Sequence, residues 1–530
     1  MSQAPVAGAA AWLAAVAPVV LVLALLLAGR GGARSGAAGW VVAMLIAALL
    51  FGAGPLVLVV SQAKALLMSA FVLYIIWLAI AFHHVVRESG ALDAIAAGVA
   101  RHAVDPTLQL LVLAWVFASF LQGVTGFGVP VAVVAPLLMG LGFHPVTSVV
   151  AASLGHGWAV TFGSLASSFH AMLAVTGLPG AALAPWSALF LGLACLPSGL
   201  LVLWVHDGPR GVRHGAPAVL LIGVAMGAAQ FLLASRGLYP VAAFGAGLVG
   251  LGVAALVTRL PRHRGPGPLQ PAVPAAGASA GAARGMGLAE AMSGYAVLLV
   301  VVLVGTLSGP LARFLGRVVV DPDFPATSTA LGWSNPAGPG QAIAVFSHPG
   351  ALILYACLAA FLLYAARGRY GPGAARRVAG LTWHGAGKPT AAILFLVGMA
   401  AVMSDSGMTF TLAGAVGRVT GPLYPFVAPF IGALGAFVTG SNTNSNVLFA
   451  RLQQDAAALL GLDPRVILGA QNLGGAVGST FAPAKIIVAC STAWAVLQGR
   501  EGTVLRLTLA YGLVIIALGG VVALVAAALV

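Results

Sequence analysis

Two short polar runs hold the residues best suited to chemistry, each inside an otherwise apolar stretch. They are Gln122-Gly123-Val124-Thr125-Gly126-Phe127-Gly128-Val129-Pro130 and Thr439-Gly440-Ser441-Asn442-Thr443-Asn444-Ser445-Asn446. Gly and Pro interrupt a helix, and an interrupted helix exposes unpaired N–H groups at a positive dipole end. Such an end can hold a carboxylate without a full countercharge. Glycine lets the anion approach the backbone, while Gln, Ser, Thr and Asn can hydrogen-bond a carboxylate or a hydroxyl. The candidate ligand-binding residues are therefore Gln122, Gly123, Thr125, Gly126, Gly128, Ser441, Asn442, Thr443, Asn444, Ser445 and Asn446. The competing reading is that these side chains merely join helices. It suits a lone Ser or Thr better than a run with three Asn.

Ionisable groups in the apolar segments are few. His156, in Ser153-Leu154-Gly155-His156-Gly157, titrates near physiological pH, and buried ionisable groups in a membrane are costly enough to imply a use. His156 and Asp405 are the candidates for handling a proton. Against that use, His156 could sit neutral between helices, and Asp405 could be solvated at the outer interface. Lys485, just after Pro483, could contact an anion or snorkel to the inner interface. Cys195, Cys357 and Cys490 lie apart in apolar segments, with no spacing for a metal site or disulfide framework. No cofactor or metal is called for.

The elements that must position these groups follow from composition. Of 530 residues, 60% are hydrophobic and 7% charged, with mean hydropathy +1.04. Soluble domains carry about 25% charged residues, so lipid must be the main solvent here. Backbone groups in lipid have to be paired internally. Long apolar runs such as 41–60, 71–81 and 507–530 therefore read as helices, each needing roughly 20 residues to cross. The fold class is an all-α polytopic membrane protein with about 12 transmembrane helices plus re-entrant hairpins. Segment 12–28 is long enough to be the first span rather than a cleaved signal. The net charge of +14 lies in short loops rather than on a soluble stripe, so it points to membrane topology and not to nucleic acid.

With the N-terminus outside, the inward segments are 29–38, 87–105, 206–215, 259–290, 367–388 and 499–506. These hold most of the 25 basic residues, as the positive-inside rule requires for an inner-membrane protein. The alternation demands that a hairpin of about 107–141 enter and leave on one side. A second hairpin is expected at about 422–453. The Pro/Gly/Ala-rich stretch 259–290 reads as a cytoplasmic linker between halves 1–258 and 291–530, and 313–341 as an external loop.

The halves echo each other at a nearly constant offset. Glu88-Ser89-Gly90 matches Asp405-Ser406-Gly407, and Ala97 through Pro106 matches Ala413 through Pro422. Leu141-Gly142-Phe143-His144-Pro145 matches Leu460-Gly461-Leu462-Asp463-Pro464, and Phe162-Gly163 falls on Phe481-Ala482. The orientation puts Pro106 inside and Pro422 outside, so the two repeats have inverted topology. In that architecture, corresponding broken segments mark the substrate site.

At these motifs the sequence resembles the lactate permease family, which includes glycolate permeases. The likeness rests on Phe120-Leu121-Gln122-Gly123-Val124-Thr125-Gly126-Phe127-Gly128-Val129-Pro130-Val131-Ala132, on Gly140-Leu141-Gly142-Phe143, and on Thr439 through Asn446 with Val447-Leu448-Phe449. Gly474-Gly475, Pro483 and Val488-Ala489-Cys490 extend it along nearly the whole chain. The resemblance implies uptake of lactate or a related small 2-hydroxy monocarboxylate, usually with protons. The family typically has Glu at Gln122, Asp at Asn442, Lys at Ser479 and Asn at His156. Gln and Asn can bind a substrate but carry no proton, which leaves His156 as the ionisable group nearest the proposed site. Alternatives are another small organic anion, carried with sodium or uncoupled, a channel, or a membrane-embedded enzyme. The last lacks any HExxH, GxSxG or paired carboxylates in the apolar segments.

Overall fold

A computed structural model describes residues 8–28, 30–100, 105–126, 128–259, 285–491, 497 and 500–530. Most of the expected linker at 259–290 lies outside them. The chain opens with the paired helices α1 (Ala9–Leu27) and α2 (Gly32–Leu50), then the long α3 (Pro55–Glu88) and short α4 (Ala91–Ala100). Next come α5 (Pro106–Val124) and α6 (Val129–Gly140), then α7 (Pro145–Gly155), α8 (Gly163–Thr176), α9 (Gly180–Ser235, kinked at Asp207–Gly208) and α10 (Tyr239–Val257).

After the undescribed stretch, α11 (Leu288–Leu307) and α12 (Gly309–Leu315) lead to α13 (Pro349–Ala366) and the long α14 (Ala374–Asp405). Then follow α15 (Met408–Thr420), α16 (Tyr424–Thr439), α17 (Asn442–Leu459), α18 (Pro464–Gly478), α19 (Pro483–Ser491) and α20 (Glu501–Leu529). Among the described residues 11 helices are long and apolar enough to cross a bilayer, or 12 if the bent pair α7–α8 counts as one span. Leu13, Val20, Leu45, Leu49 and Leu362 stay exposed on these helices, as side chains facing lipid do. This is a multi-pass membrane protein.

The element order recurs. The long helices α3 and α14 both end before a left-handed glycine, Gly90 (φ 77°) and Gly407 (φ 82°). Each is followed by a short helix, a helix pair, a tight turn at Gly142 or Gly461, and a helix interrupted by a 3-10 turn. Those turns are Gly157–Ala159 and Ser479–Phe481.

Two expectations need correction. Run 41–60 is not one helix. It stops at Phe51, turns through Gly52 (φ 66°), and restarts at Pro55, whose missing N–H suits a first turn. The expected external loop at 313–341 is partly structured. Three antiparallel ladders, Val319–Val320 with Ile343–Ala344, Asp323–Phe324 with Gly338–Pro339, and Thr327–Ser328 with Ser334–Asn335, form one long β-hairpin. It docks on the helices through Ala330 N–H to Gly52 O (2.8 Å), Asn335 Nδ2 to Asp405 O (2.8 Å) and Tyr74 OH to Val345 O (3.3 Å). Two-residue ladders spaced by Pro and Gly leave no run long enough to read as a strand.

The second helix pair is an antiparallel hairpin by its own bonds. Ser445 Oγ donates to Gly432 O (2.6 Å), Gln453 Nε2 to Ala428 O (2.8 Å) and Tyr424 OH to Gln453 Oε1 (2.6 Å). α18 packs on α16 nearly backbone to backbone, because a Cβ at Gly474 would overlap the Pro429 carbonyl oxygen. Gly474→Ala should therefore cost about 1–3 kcal/mol by overpacking. Thermal unfolding in detergent checks this against Gly502→Ala, where a Cβ meets nothing within 4 Å. Equal melting temperatures would contradict the packing described.

Candidate functional site

At the second hairpin, Gly440 (φ 74°) ends α16 and Ser441 caps α17, its Oγ accepting from Asn444 N–H at 3.4 Å. Ser and Asn belong here because they supply the acceptors that the first free N–H groups need. One turn of helix then aims the run at several partners. Asn442 Nδ2 donates to Thr161 Oγ1 (2.9 Å), and Thr443 Oγ1 shares a hydrogen bond with Ser168 Oγ (2.9 Å). Ser445 Oγ also accepts from Gln471 Nε2 (3.2 Å). Asn446 Nδ2 donates to Asn472 Oδ1 and to Ser168 O, both at 2.9 Å. Asn472, fully buried, passes the contact on to Ser187 Oγ (2.9 Å), and its backbone oxygen accepts from Thr161 Oγ1 (3.1 Å). One buried atom of this set, Asn442 Oδ1, has no partner. It lies over Gly475, where a Cβ would overlap it.

At the first pair, Thr125 Oγ1 donates to Leu121 O (2.7 Å), and Gly126 (φ 67°) and Gly128 (φ 87°) turn the chain into α6, which packs back against α5. Phe127 lies outside the described residues. Gln122 is buried, and a Cβ on Gly163 would come within 2.7 Å of its Nε2. Gly126 faces Ser164, whose Oγ occupies the space a Cβ would need. The start of α8 is unusual: Ser164 (φ 48°), Leu165 (φ 55°) and Ala166 (φ 63°) are all left-handed. A side chain makes that conformation cost roughly 1–2 kcal/mol per residue, so surrounding contacts must hold it. His170 Nδ1–H donates to Ala166 O at 2.9 Å.

The two breaks thus reach the same short stretch, Gln122 and Gly126 at 163–164 and Asn442 at Thr161. The interrupted spans also meet: a Cβ on Gly157 would lie 3.1 Å from Thr480 Cγ2. Lys485 Nζ donates to Ser479 Oγ (3.2 Å), turning toward the break rather than snorkelling away. His156 is buried with Nδ1 donating to Ala152 O (2.7 Å). Asp405 is not brought into this group. It pairs with Lys64 (3.2 Å) below the β-hairpin, where Phe324 covers the ammonium.

The sequence reading leaves out Thr161, Ser168, Gln471 and Asn472, on which the second hairpin closes. The available signal was the adjacent amide pair 471–472 in an apolar helix, since buried polar groups in such helices need partners. Chemically the assembly offers neutral donors and acceptors with one ammonium at its edge. That suits holding a small polar anion and supplies no nucleophile–base pair. Among the described residues no group of three His, Cys, Asp or Glu is placed to hold a metal.

Residues 11–530 match the model of the L-lactate permease family. The L-lactate permease of Salmonella typhimurium (strain LT2) is 28% identical over 92% of this chain and 90% of its own length. The glycolate permease GlcA of Escherichia coli (strain K12) is 28% identical over 86% and 84%. A crystal structure of the YdaH transporter of Alcanivorax borkumensis is 16% identical, with TM-score 0.45 over 85% of this chain and 84% of that one, too remote to inform this fold. With nearly its whole length matched, this multi-pass inner-membrane chain belongs to the L-lactate permease family.

Proposed function

We propose that the protein is a secondary active transporter of lactate, glycolate or a related small 2-hydroxy monocarboxylate, coupled to a cation, the proton first. The observation that carries this reading is the junction of the two breaks at 161–164. There an unpartnered buried acceptor, Asn442 Oδ1, lies over Gly475 while the Nδ2 of the same amide donates to Thr161. The substrate hydroxyl would donate to that oxygen. Its carboxylate would take the free N–H groups and side chains of the two tips, with Lys485 as the nearby charge. In this reading 1–258 and 291–530 are inverted halves. Their hairpins, about 107–141 and 422–453, carry Gln122, Gly123, Thr125, Gly126 and Gly128 on one side and 441–446 on the other. Alternating access would proceed around that junction. The relatives named above, both permeases, support the substrate class and argue against an enzyme.

In proteoliposomes, labelled L-lactate should enter by counterflow. Glycolate should compete, and propionate, which keeps the carboxylate without the hydroxyl, should compete at least about tenfold less well. Asn442→Ala leaves buried partners unpaired at about 1–3 kcal/mol, so it should raise the half-saturating concentration by about tenfold or more. Ser308→Ala, outside the junction, is the control. Identical constants for both variants at equal reconstitution would reject the site.

Coupling has its own test. His156→Gln keeps a hydrogen-bonding side chain and loses titration, so it should still exchange labelled substrate but fail to concentrate it when the outside is acid. If wild type ignores a pH gradient and follows sodium, the proton reading is wrong.

A further inference from the structure

We propose that His170 is a positioning residue for the substrate site, its imidazole latching the left-handed turn 164–166 that aligns Ser164 and Gly163 with the tip of the first hairpin. The inference rests on the site reading above and adds a part that the polar runs do not contain.

Three consecutive residues with side chains do not stay left-handed unaided. The backbone bond closing the turn is Ala166 N–H to Phe162 O (3.2 Å). At its other end, Ala166 O receives His170 Nδ1–H (2.9 Å). A carbonyl can only accept, so Nδ1 carries the proton in that bond. The ring has little freedom to leave. It is 3% exposed and lies against Phe71 (ring centroids 6.0 Å), Phe169 (6.3 Å) and Tyr239 (5.9 Å). These neighbours come from α3, α8 and the start of α10, so several elements fix the imidazole. The phenyl rings offer it no acceptor.

The turn in turn has exact neighbours on the hairpin side. Ser164 Oγ fills the space beside Gly126, and Gly163 abuts the Gln122 amide. Unwinding the turn to right-handed helix would move both from the tip. Among the described residues no hydrogen bond or ring contact joins His170 to either hairpin run, and it acts through the turn.

The test compares L-lactate transport by the full-length protein in proteoliposomes. His170→Phe keeps the packed ring and removes the donor, and should raise the half-saturating concentration about tenfold, equivalent to about 1.4 kcal/mol. His170→Gln, whose amide can still donate to the carbonyl four residues back, should stay within about threefold of wild type. Ala166→Gly in the His170→Phe background should recover most of the loss, because glycine takes positive φ without a steric cost. A general packing defect would not be relieved by that glycine.

Hydrogen exchange of the amides at 164–167, measured without substrate, should be faster in His170→Phe than in wild type. That arm decides the latch even if wild type fails to carry L-lactate, an outcome that would sink the proposed substrate instead. Unchanged exchange overturns the latch. So does unchanged affinity in His170→Phe alongside an active wild type. If His170→Phe fails to fold, exchange in His170→Leu/Ala166→Gly against His170→Leu gives the same decision: slower exchange with glycine supports the latch, and no difference overturns it.

Discussion

A backbone amide in lipid has no water to turn to, and every interruption of a helix must be repaid by protein partners. This constraint organises the molecule. Two helix pairs and two interrupted spans abut, and side chains there take up backbone and side-chain groups across the breaks or within the same helix. Asn442 reaches Thr161, Thr161 reaches the Asn472 backbone, and His170 reaches Ala166.

Among the described residues the interior is almost wholly uncharged, which follows from the cost of ions in a membrane. Along the second hairpin a chain of neutral groups runs from Tyr424 through Gln453 and Gln471 to Ser445. Beside it, Asn446 and Asn472 lead to Ser187. Satisfied buried networks rigidify what they join. Together with the close approach of α16 and α18, this ties the second hairpin to α18 and α9 as a unit. The first pair is held differently, by packing of Gln122 and Gly126 against Gly163 and Ser164. The two tips thus rest on supports of different kinds.

Lys485 delivers its ammonium to the Ser479 hydroxyl from six residues further on. The intervening turn at Ser479–Phe481, with extended Ala482 before α19 restarts at Pro483, brings the side chain back. Spacing along a regular helix would not have predicted the meeting, because i and i+6 lie on different faces. Asp405 shows the reverse. It aligns with Glu88 in sequence, and both end long helices, but Asp405 is taken by Lys64 and Glu88 by Arg377.

The sequence by itself determined the solvent, the helical class and the two polar runs at which α5 gives way to α6 and α16 to α17. Few charges leave no alternative to lipid, and glycine supplies the positive φ of the turns at Gly126, Gly128 and Gly440, although Pro18, Pro136 and Pro389 lie inside helices. It also marked Asn442, Ser445 and Asn446, since three Asn in an apolar segment must find partners. The tertiary structure alone decided which partners those are. Thr161 in the break before α8, Ser168 in α8 and Asn472 in α18 are ordinary residues until packing sets them beside the tip. The left-handed turn at 164–166 was invisible for a sharper reason. Ser, Leu and Ala all prefer right-handed helix, and their local preference is overridden by contacts from Phe162 and His170 that exist only once the neighbouring helices hold the imidazole in place.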